Sequence, residues 1–530
     1  MEYFNRLLES IDISRFSCRE PETAMGAFLH RQQESTRTPR SVAVLGGGVS
    51  GLAAAYKLKC QGVAVTVFEA DERIGGKITS ISQDGLIWEK GANTMTESEP
   101  EVKQLIDELG IRGQQQFPIM QNKRYIVKNG EPQLLPSNPL TLIGSKFLSA
   151  RAKVNFYMEP ILWKRRKPEE ILGSDSKQES VGDFFRRHFG EEIVDYILDP
   201  FVAGTTGADT ESVSMQHAFP EMWDLEERFG SIIIGGMRSI WSRKKTEKDT
   251  KVSEGKKRQR GSFSFMGGLQ TLTNALSTKL EEESLKLQSS VLSLSCDLHG
   301  NPSHSSWSIN YARNGYKDPV QEESFDAVIM TAPLCKFRDM KISQNGKPFP
   351  LDFLPNVTYL PISVIITTFK KQDVQRPLEG FGILVPSKEE KNGFQTLGTI
   401  FSSSMFPDRA PSDQYLFTTL IGGSRNKNLA KSSSKELQEV ALNDLNRLLG
   451  IEKYPLTVKH VYWSEAFPLY SLNHNLVLDA IDKIEKNLPG LYFAGNYRGG
   501  LSVGKALVSG FKAADLAIKH LRSLDGTCEP

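Results

Sequence analysis

The run SVAVLGGGVSGLAAAYKLKCQGVAVTVFEADERIGGK, Ser41 to Lys77, constrains this chain more than any other stretch. Val42 to Leu45 reads as a short buried strand. Gly46, Gly48 and Gly51 form G-x-G-x-x-G and open a helix through Leu58. A second strand, Val63 to Phe68, ends at Glu69, 18 residues past the last glycine. Strand, glycine turn, helix, strand and terminal acid in this register predict a βαβ unit that binds a dinucleotide. Gly46 permits the tight turn, Gly48 lets backbone approach a pyrophosphate, and Gly51 lets helix and strand pack closely. The helix start offers free N–H groups and a positive dipole end to the phosphates. Glu69 can accept hydrogen bonds from a ribose diol, and its charge disfavours a 2′-phosphate.

With 530 residues the chain is too long for one compact core, so two or three domains are expected. A formal net charge of +2 gives no sign of a nucleic-acid binder. Five scattered cysteines without C-x-x-C argue against a disulfide framework or structural zinc. The dispersed histidines form no ligand set, so no metal is implied. No apolar run reaches the roughly 18 residues of a membrane span, so any membrane contact is expected to be peripheral. Residues 1–40 read as an N-terminal extension and possible targeting segment, with six arginines, no lysine and six acidic residues.

From Leu142 to Trp163, Ile143, Phe147, Ala150, Val154, Tyr157, Met158 and Ile161 recur at helical spacing with basic residues between them. That pattern fits either a surface helix or a helix lying in a membrane interface. Val181 to Tyr196 reads as a second helix, ended by Asp199-Pro200. Residues 241–262 are polar and basic, and are expected to be a disordered loop. Order should resume at Phe263, with Met266-Gly267-Gly268-Leu269 leading into a helix. Phe325 to Thr331 reads as one buried strand. Val357 to Phe369 and Gln414 to Ile421 suit an antiparallel sheet in a separate domain. Gly490 to Asn496 reads as a strand entering a glycine turn, before a closing helix from Gly504 to Leu521.

Arg73-Ile74-Gly75-Gly76-Lys77 follows the acid that ends the second strand. This R-x-G-G-K string resembles flavin oxidoreductases of the amine-oxidase superfamily, in which the glycines wrap the cofactor and the basic side chains reach its phosphates. Gly91-Ala92-Asn93-Thr94 would let backbone approach a flavin ring. FAGNYRGGLSVGKALVSG, from Phe493, repeats the strand–turn–helix plan at the far end of the chain. Its helix start can hold negative charge on a reduced flavin. No cysteine lies near that motif, so the flavin is expected to be non-covalent.

The strings GLIWEKGANTMTESEPEV, QNKRYIVKNG, FVAGTTGADTESVSM, SFSFMGG, RPLEGFGILVPSKE, FPDRAP and FAGNYRGGLSVGKAL resemble the plant protoporphyrinogen oxidases of mitochondrial type, over about residues 41–522. The resemblance implies an α/β protein: a Rossmann-type FAD-binding domain, a mixed-sheet substrate domain and a helical membrane-associating insertion. The implied boundaries are 41–117, 263–335 and 455–525 for the FAD domain, 118–135 and 336–454 for the substrate domain, and 136–240 for the insertion. The implied reaction is oxidation of protoporphyrinogen IX to protoporphyrin IX with FAD and O₂, releasing H₂O₂, in haem and chlorophyll synthesis. It places the chain at a mitochondrial membrane, with the chloroplast as alternative and a homodimer left open.

Carried over by position, the FAD contacts are Gly46, Gly47, Gly48, Val49, Ser50, Gly51, Glu69 and Ala70. Gly76, Lys77, Gly91, Ala92, Asn93 and Thr94 follow, then Val291, Trp463, Asn496, Leu501, Ser502 and Val503. Arg124 matches the arginine that pairs with a substrate propionate, a role its bidentate guanidinium suits. Gly207 matches a glycine on the pocket wall, while Leu384, Ile400 and Leu420 match apolar positions that sandwich the tetrapyrrole. Many relatives carry an aromatic residue where this chain has Leu420. No side-chain base is required, because flavin N5 accepts the hydride.

Overall fold

The computed structural model describes residues 40–137, 139–162, 178–249, 261–298, 305–314 and 317–524. The possible targeting segment thus falls almost wholly outside the described residues. At the centre lies a five-stranded parallel sheet in the order Leu491–Phe493, Ala327–Met330, Ser41–Leu45, Ala64–Phe68, Leu285–Lys286. Its strands come from the start, middle and end of the chain. Ala327–Met330 is buried at every position, as expected of a strand covered on both faces. Val42 lies opposite both Ala327 and Val65.

Helices Val49–Cys60 and Val503–Leu524 pack together against this sheet. A Cβ on Gly510 would lie 2.1 Å from the Ser50 carbonyl oxygen, so only glycine lets the two helices meet backbone to backbone. The Ser50 hydroxyl donates to Ala506 O at 2.7 Å across the same contact.

The segment read as one strand from Phe325 to Thr331 is two. Gln321–Phe325 joins a second five-stranded sheet, and Ala327–Met330 joins the parallel one. Asp326 makes the corner, its carboxylate accepting from Ser41 N and Arg40 Nη1, each at 2.7 Å. The second sheet continues through Lys341–Gln344 and Lys347–Pro348, so it takes in residues assigned above to the substrate domain.

A seven-stranded sheet forms the separate domain, in the order Thr457–Pro468, Tyr359–Lys370, Gln414–Gly422, Gly398–Ile400, Gly382–Leu384, Arg124–Lys128, Glu131–Leu134. The expected antiparallel pairing holds, with Val364 opposite Leu420. Thr457–Pro468 was placed in the FAD domain from sequence, but it hydrogen-bonds to Tyr359–Lys370. The crossing back to the parallel sheet therefore comes after Pro468.

The helical insertion has its own core, which includes Phe184, Phe185, Phe189, Leu198, Met215 and Met222. The helix expected over 142–163 is broken into Pro139–Gly144 and Ala150–Leu162. Phe147 and Leu148 bury themselves in the gap, and the Ser149 hydroxyl accepts from Ala152 N at 3.2 Å to start the second helix. Asp199-Pro200 ends no helix: Glu191–Ile193, the wider π turn Val194–Leu198 and helix Asp199–Thr206 follow one another without a gap, and the widened turn just before Pro200 accommodates a residue with no N–H to donate. The break falls at Gly190, φ +86°. The basic loop expected from 241 is helical through Asp249: its Arg, Lys and Glu residues are good helix formers, with no glycine or proline between Trp241 and Asp249. Residues 250–260 of that loop lie outside the described residues.

An ionic network ties the insertion together. Arg187 bridges Glu179 (2.7 Å) and Glu226 (2.8 Å), and His188 Nδ1 meets the buried Glu159 at 2.8 Å. Burial alone would raise the Glu226 carboxyl, but His188 and Arg187 hold it down at about 2. An unfolded glutamate titrates near 4.3, so the unfolded chain binds the extra proton as pH falls. The stability this carboxylate adds is full above ~4.3 and disappears as pH drops toward ~2. Glu226→Gln should therefore flatten the acid limb of a stability–pH profile measured by urea unfolding.

Candidate functional site

The glycine turn forms as the sequence implies. Gly46 has φ +114°, and a Cβ on Gly51 would lie 1.9 Å from Gly46 O. Gly48 differs: a Cβ there would meet nothing within 4 Å, and Gly48 caps helix Val49–Cys60 without any side-chain hydrogen bond. Open space before an uncapped helix start suits a pyrophosphate. Glu69 closes the far side, its carboxylate accepting from Gly47 N at 2.7 Å and Asp71 N at 2.9 Å. Burial pushes this carboxyl upward against those hydrogen bonds. Ala70 follows it, and Ser289 N donates to Glu69 O at 2.8 Å, which brings Val291 to the same edge.

Gly75 N donates to Gly47 O at 2.8 Å, and Gly76 (φ +53°) places its hypothetical Cβ 3.3 Å from Gly48 Cα. The R-I-G-G-K loop thus lies directly on the glycine turn. Arg73 does not reach outward as expected: its guanidinium donates to Ile74 O and Gly76 O, both at 2.8 Å, bracing its own loop. Lys77 is half-buried, 5.9 Å over the Tyr359 ring, and its partial desolvation lowers the ammonium to about 8.

Gly91 packs on Lys77 O, 2.2 Å from where a Cβ would stand. Ala92, Asn93 and Thr94 continue this strap, with Asn93 Nδ2 donating to Gly91 O at 3.0 Å. Trp463 joins it to the seven-stranded sheet through Nε1 to Lys90 O, 2.7 Å. From the chain's other end, Gly495, Gly499 and Gly500 adopt positive φ, and the turn carries Asn496 and Leu501–Val503 to the start of helix Val503–Leu524.

On the seven-stranded sheet, register decides which side chains share a face. Leu384 lies opposite Gly398, Gly398 opposite Leu420, and Leu420 opposite Val364. Ile400 and Arg124 both lie opposite Gly382. Arg124, Leu384, Ile400 and Leu420 therefore point to one side, as does Trp463, paired with Ile362. All five are half-buried, while Ile383, Thr399, Thr419 and Ile421 on the other face are fully buried. The result is an apolar surface with one guanidinium at its edge, which stacks 4.7 Å over Phe381.

Gly207 caps helix Asp199–Thr206 at φ +69°, and a Cβ there would approach Ile362 Cδ1 to 3.1 Å. The helix end and this packing both call for glycine at a position beside Ile362, which lies on the same sheet face as Leu420. Gly204, unmarked in the sequence reading, is the residue that admits Leu384: a Cβ there would sit 2.4 Å from Leu384 Cδ2. Asp199 and Arg425 were missed as well. Their ion pair is 2.8 Å long, and Arg425 also holds Val385 O at 2.6 Å beside Leu384. No motif marks either residue, because their meeting spans 226 positions.

A glycine-turn phosphate site joined by one tryptophan to an apolar, arginine-edged sheet is the plan of a flavin oxidoreductase. The family model for flavin containing amine oxidoreductases matches residues 49–518, and the chain belongs to that family. Cyclohexylamine oxidase from Brevibacterium oxydans shares the fold, with TM-score 0.62 and 15% identity over 92% of this chain and all of that one. Mitochondrial protoporphyrinogen oxidase of Nicotiana tabacum is 60% identical over 93% of this chain and 97% of its own. Protoporphyrinogen oxidase 2 of Arabidopsis thaliana, named chloroplastic/mitochondrial, is 54% identical over 96% and 99%. Within the family, the chain is one of the protoporphyrinogen oxidases.

Proposed function

We propose that this protein oxidises protoporphyrinogen IX to protoporphyrin IX in tetrapyrrole synthesis, with non-covalent FAD and O₂. One observation carries the reading: Leu384, Ile400 and Leu420 share a half-buried sheet face with Arg124, anchored through Trp463 beside the Gly91 strap. A flat apolar macrocycle with carboxylate arms matches that face. FAD would be held by Gly46–Gly51 at its pyrophosphate, by Glu69 at its ribose, and by the Gly91–Thr94 strap and the C-terminal turn at its ring. When bound, it would supply hydride acceptance and reoxidation by O₂ with release of H₂O₂. Arg124 grips a propionate, Gly204 sets how far Leu384 leans over the ring, and the apolar face keeps water from the reacting carbon. Orientation supplies much of the rate. The test is whether purified protein carries flavin absorption bands and generates porphyrin fluorescence and H₂O₂ from protoporphyrinogen IX.

Arg124→Ala is expected to raise the apparent KM with kcat little changed. A hydrogen-bonded charge is worth about 1.5–3 kcal/mol, or roughly 10- to 150-fold. Steady-state kinetics decide it, and an unaltered KM removes the propionate role.

Peripheral membrane binding belongs to the same proposal. Among the described residues no helix is long and apolar enough to cross a membrane. Val154, Met158 and Ile161 (74% exposed) instead line one side of helix Ala150–Leu162, and Met237 and Trp241 (81% exposed) recur on the adjacent Ile232–Asp249. Two neighbouring apolar stripes suit a bilayer interface. Changing Ile161 and Trp241 to Asp should cut co-sedimentation with lipid vesicles by more than tenfold, at about 1.5–3 kcal/mol per side chain buried. The relatives' names support a mitochondrion, with the chloroplast as alternative.

A further inference from the structure

We propose that Tyr470 and His474 are positioning residues for the flavin, which hold the C-terminal glycine turn at the start of helix Val503–Leu524. The inference rests on the reading of that turn as a flavin contact. The Tyr470 hydroxyl spans the turn, donating to Asn496 O at 2.6 Å and accepting from Gly500 N at 3.0 Å. One hydroxyl thus serves both ends of a segment whose Gly499 and Gly500 (φ +102° and +133°) have little conformational preference of their own.

His474 fixes the tyrosine. Its ring stacks on Tyr470 at 4.1 Å and 15°, and its Nε2 lies 3.0 Å from Tyr497 O. A carbonyl oxygen only accepts, so Nε2 carries the proton. Nδ1 is then bare, which agrees with its having no hydrogen-bond partner. His474 is 1% exposed, and burial, with His217 nearby, lowers its pKa to about 4. The imidazole therefore stays a neutral donor to the turn. The helix it begins, His474–Asn487, grips the turn a second time where Asp482 and Glu485 bind Arg498. Tyr470, like His474, is buried. Their action runs through backbone: they set where the helix N–H groups point, and hence how well negative charge on reduced flavin is stabilised.

The experiment compares wild type with Tyr470→Phe, His474→Leu and His474→Gln by FAD titration, visible absorption and flavin midpoint potential. Tyr470→Phe and His474→Leu should weaken FAD binding about tenfold, the scale of one lost hydrogen bond, and shift the potential to lower values. The KM for porphyrinogen at saturating FAD should hold. His474→Gln, whose amide can still donate to Tyr497 O, should recover most of the affinity and potential. A purely structural role would lower the melting temperature and leave the potential of the bound flavin unmoved. The inference is overturned if Tyr470→Phe and His474→Leu bind FAD at the wild-type potential and affinity, or if His474→Gln is no better than His474→Leu. Should Tyr470→Phe not fold, the two histidine variants decide alone. A wild-type protein that takes up no flavin sinks the underlying reading as well, which separates the two failures.

Discussion

Gly51→Val is expected to yield a protein that no longer retains flavin and is less stable even without it. The new Cβ would stand 1.9 Å from Gly46 O and 2.8 Å from Thr331 Oγ1. Neither can retreat: Gly46 N is bonded to Phe68 O at 2.8 Å, and Thr331 Oγ1 is held at Leu45 O and Gly46 O. Helix Val49–Cys60 must lift from the sheet, which costs about 1–3 kcal/mol or more in overpacking and carries its N–H groups away from the phosphate. Gly48→Val is the informative contrast. Gly48 has φ −73°, a conformation any L-residue adopts, and its Cβ would enter empty space. That variant should keep the apoprotein's melting temperature while losing FAD affinity, because the side chain takes the path of the pyrophosphate. Melting curves with and without FAD separate the two. Equal behaviour of both variants would contradict the division of labour between these glycines.

Glu159→Leu should destabilise the protein by about 2–6 kcal/mol, at about 1–3 kcal/mol for each of the two buried donors, Ser231 Oγ and Ile232 N, left without an acceptor. Glu159 is 1% exposed and accepts from Ser231 Oγ at 2.5 Å and Ile232 N at 3.0 Å, besides facing His188. Leucine fills the volume and strands those donors away from water. The residue joins helix Ala150–Leu162 to Val181–Phe189 and to the start of Ile232–Asp249, so the loss falls on the helices that carry the exposed apolar stripes. Urea unfolding followed by circular dichroism measures it. FAD absorption should persist below the transition, because no residue of this network lies at the glycine turn.

The glycine turns and the loops packed on them were legible from residues 41–94 and 493–510 because their physics is local. Turn, helix start and terminal acid lie within a few dozen positions, and each restricts the residue type that can occupy it. The core strands were legible as apolar runs. The helical insertion was misread at its breaks, where a short-range pattern competes with contacts made elsewhere: Phe147 and Leu148 leave the helical path to enter a core, and the helical run from Glu191 carries Pro200 without stopping, the break falling at Gly190 instead. The domain crossing near 455 was misplaced because the hydrogen-bond partner of Thr457–Pro468 lies about a hundred residues earlier.

From its amino acids alone, then, this protein declared a dinucleotide fold, a flavin and a family, since glycines at fixed spacing have few other physical uses. Only the folded chain decided which side chains share the half-buried face of the seven-stranded sheet. Strand register, not sequence distance, puts Arg124 on one side with Leu384, Ile400 and Leu420. Only the fold, too, assigned Gly207 to a helix end and revealed Gly204, Arg425, Tyr470 and His474. Those roles arise from close approach between distant segments, where the cost of a clash or an unpaired polar atom is set by neighbours that no short motif contains.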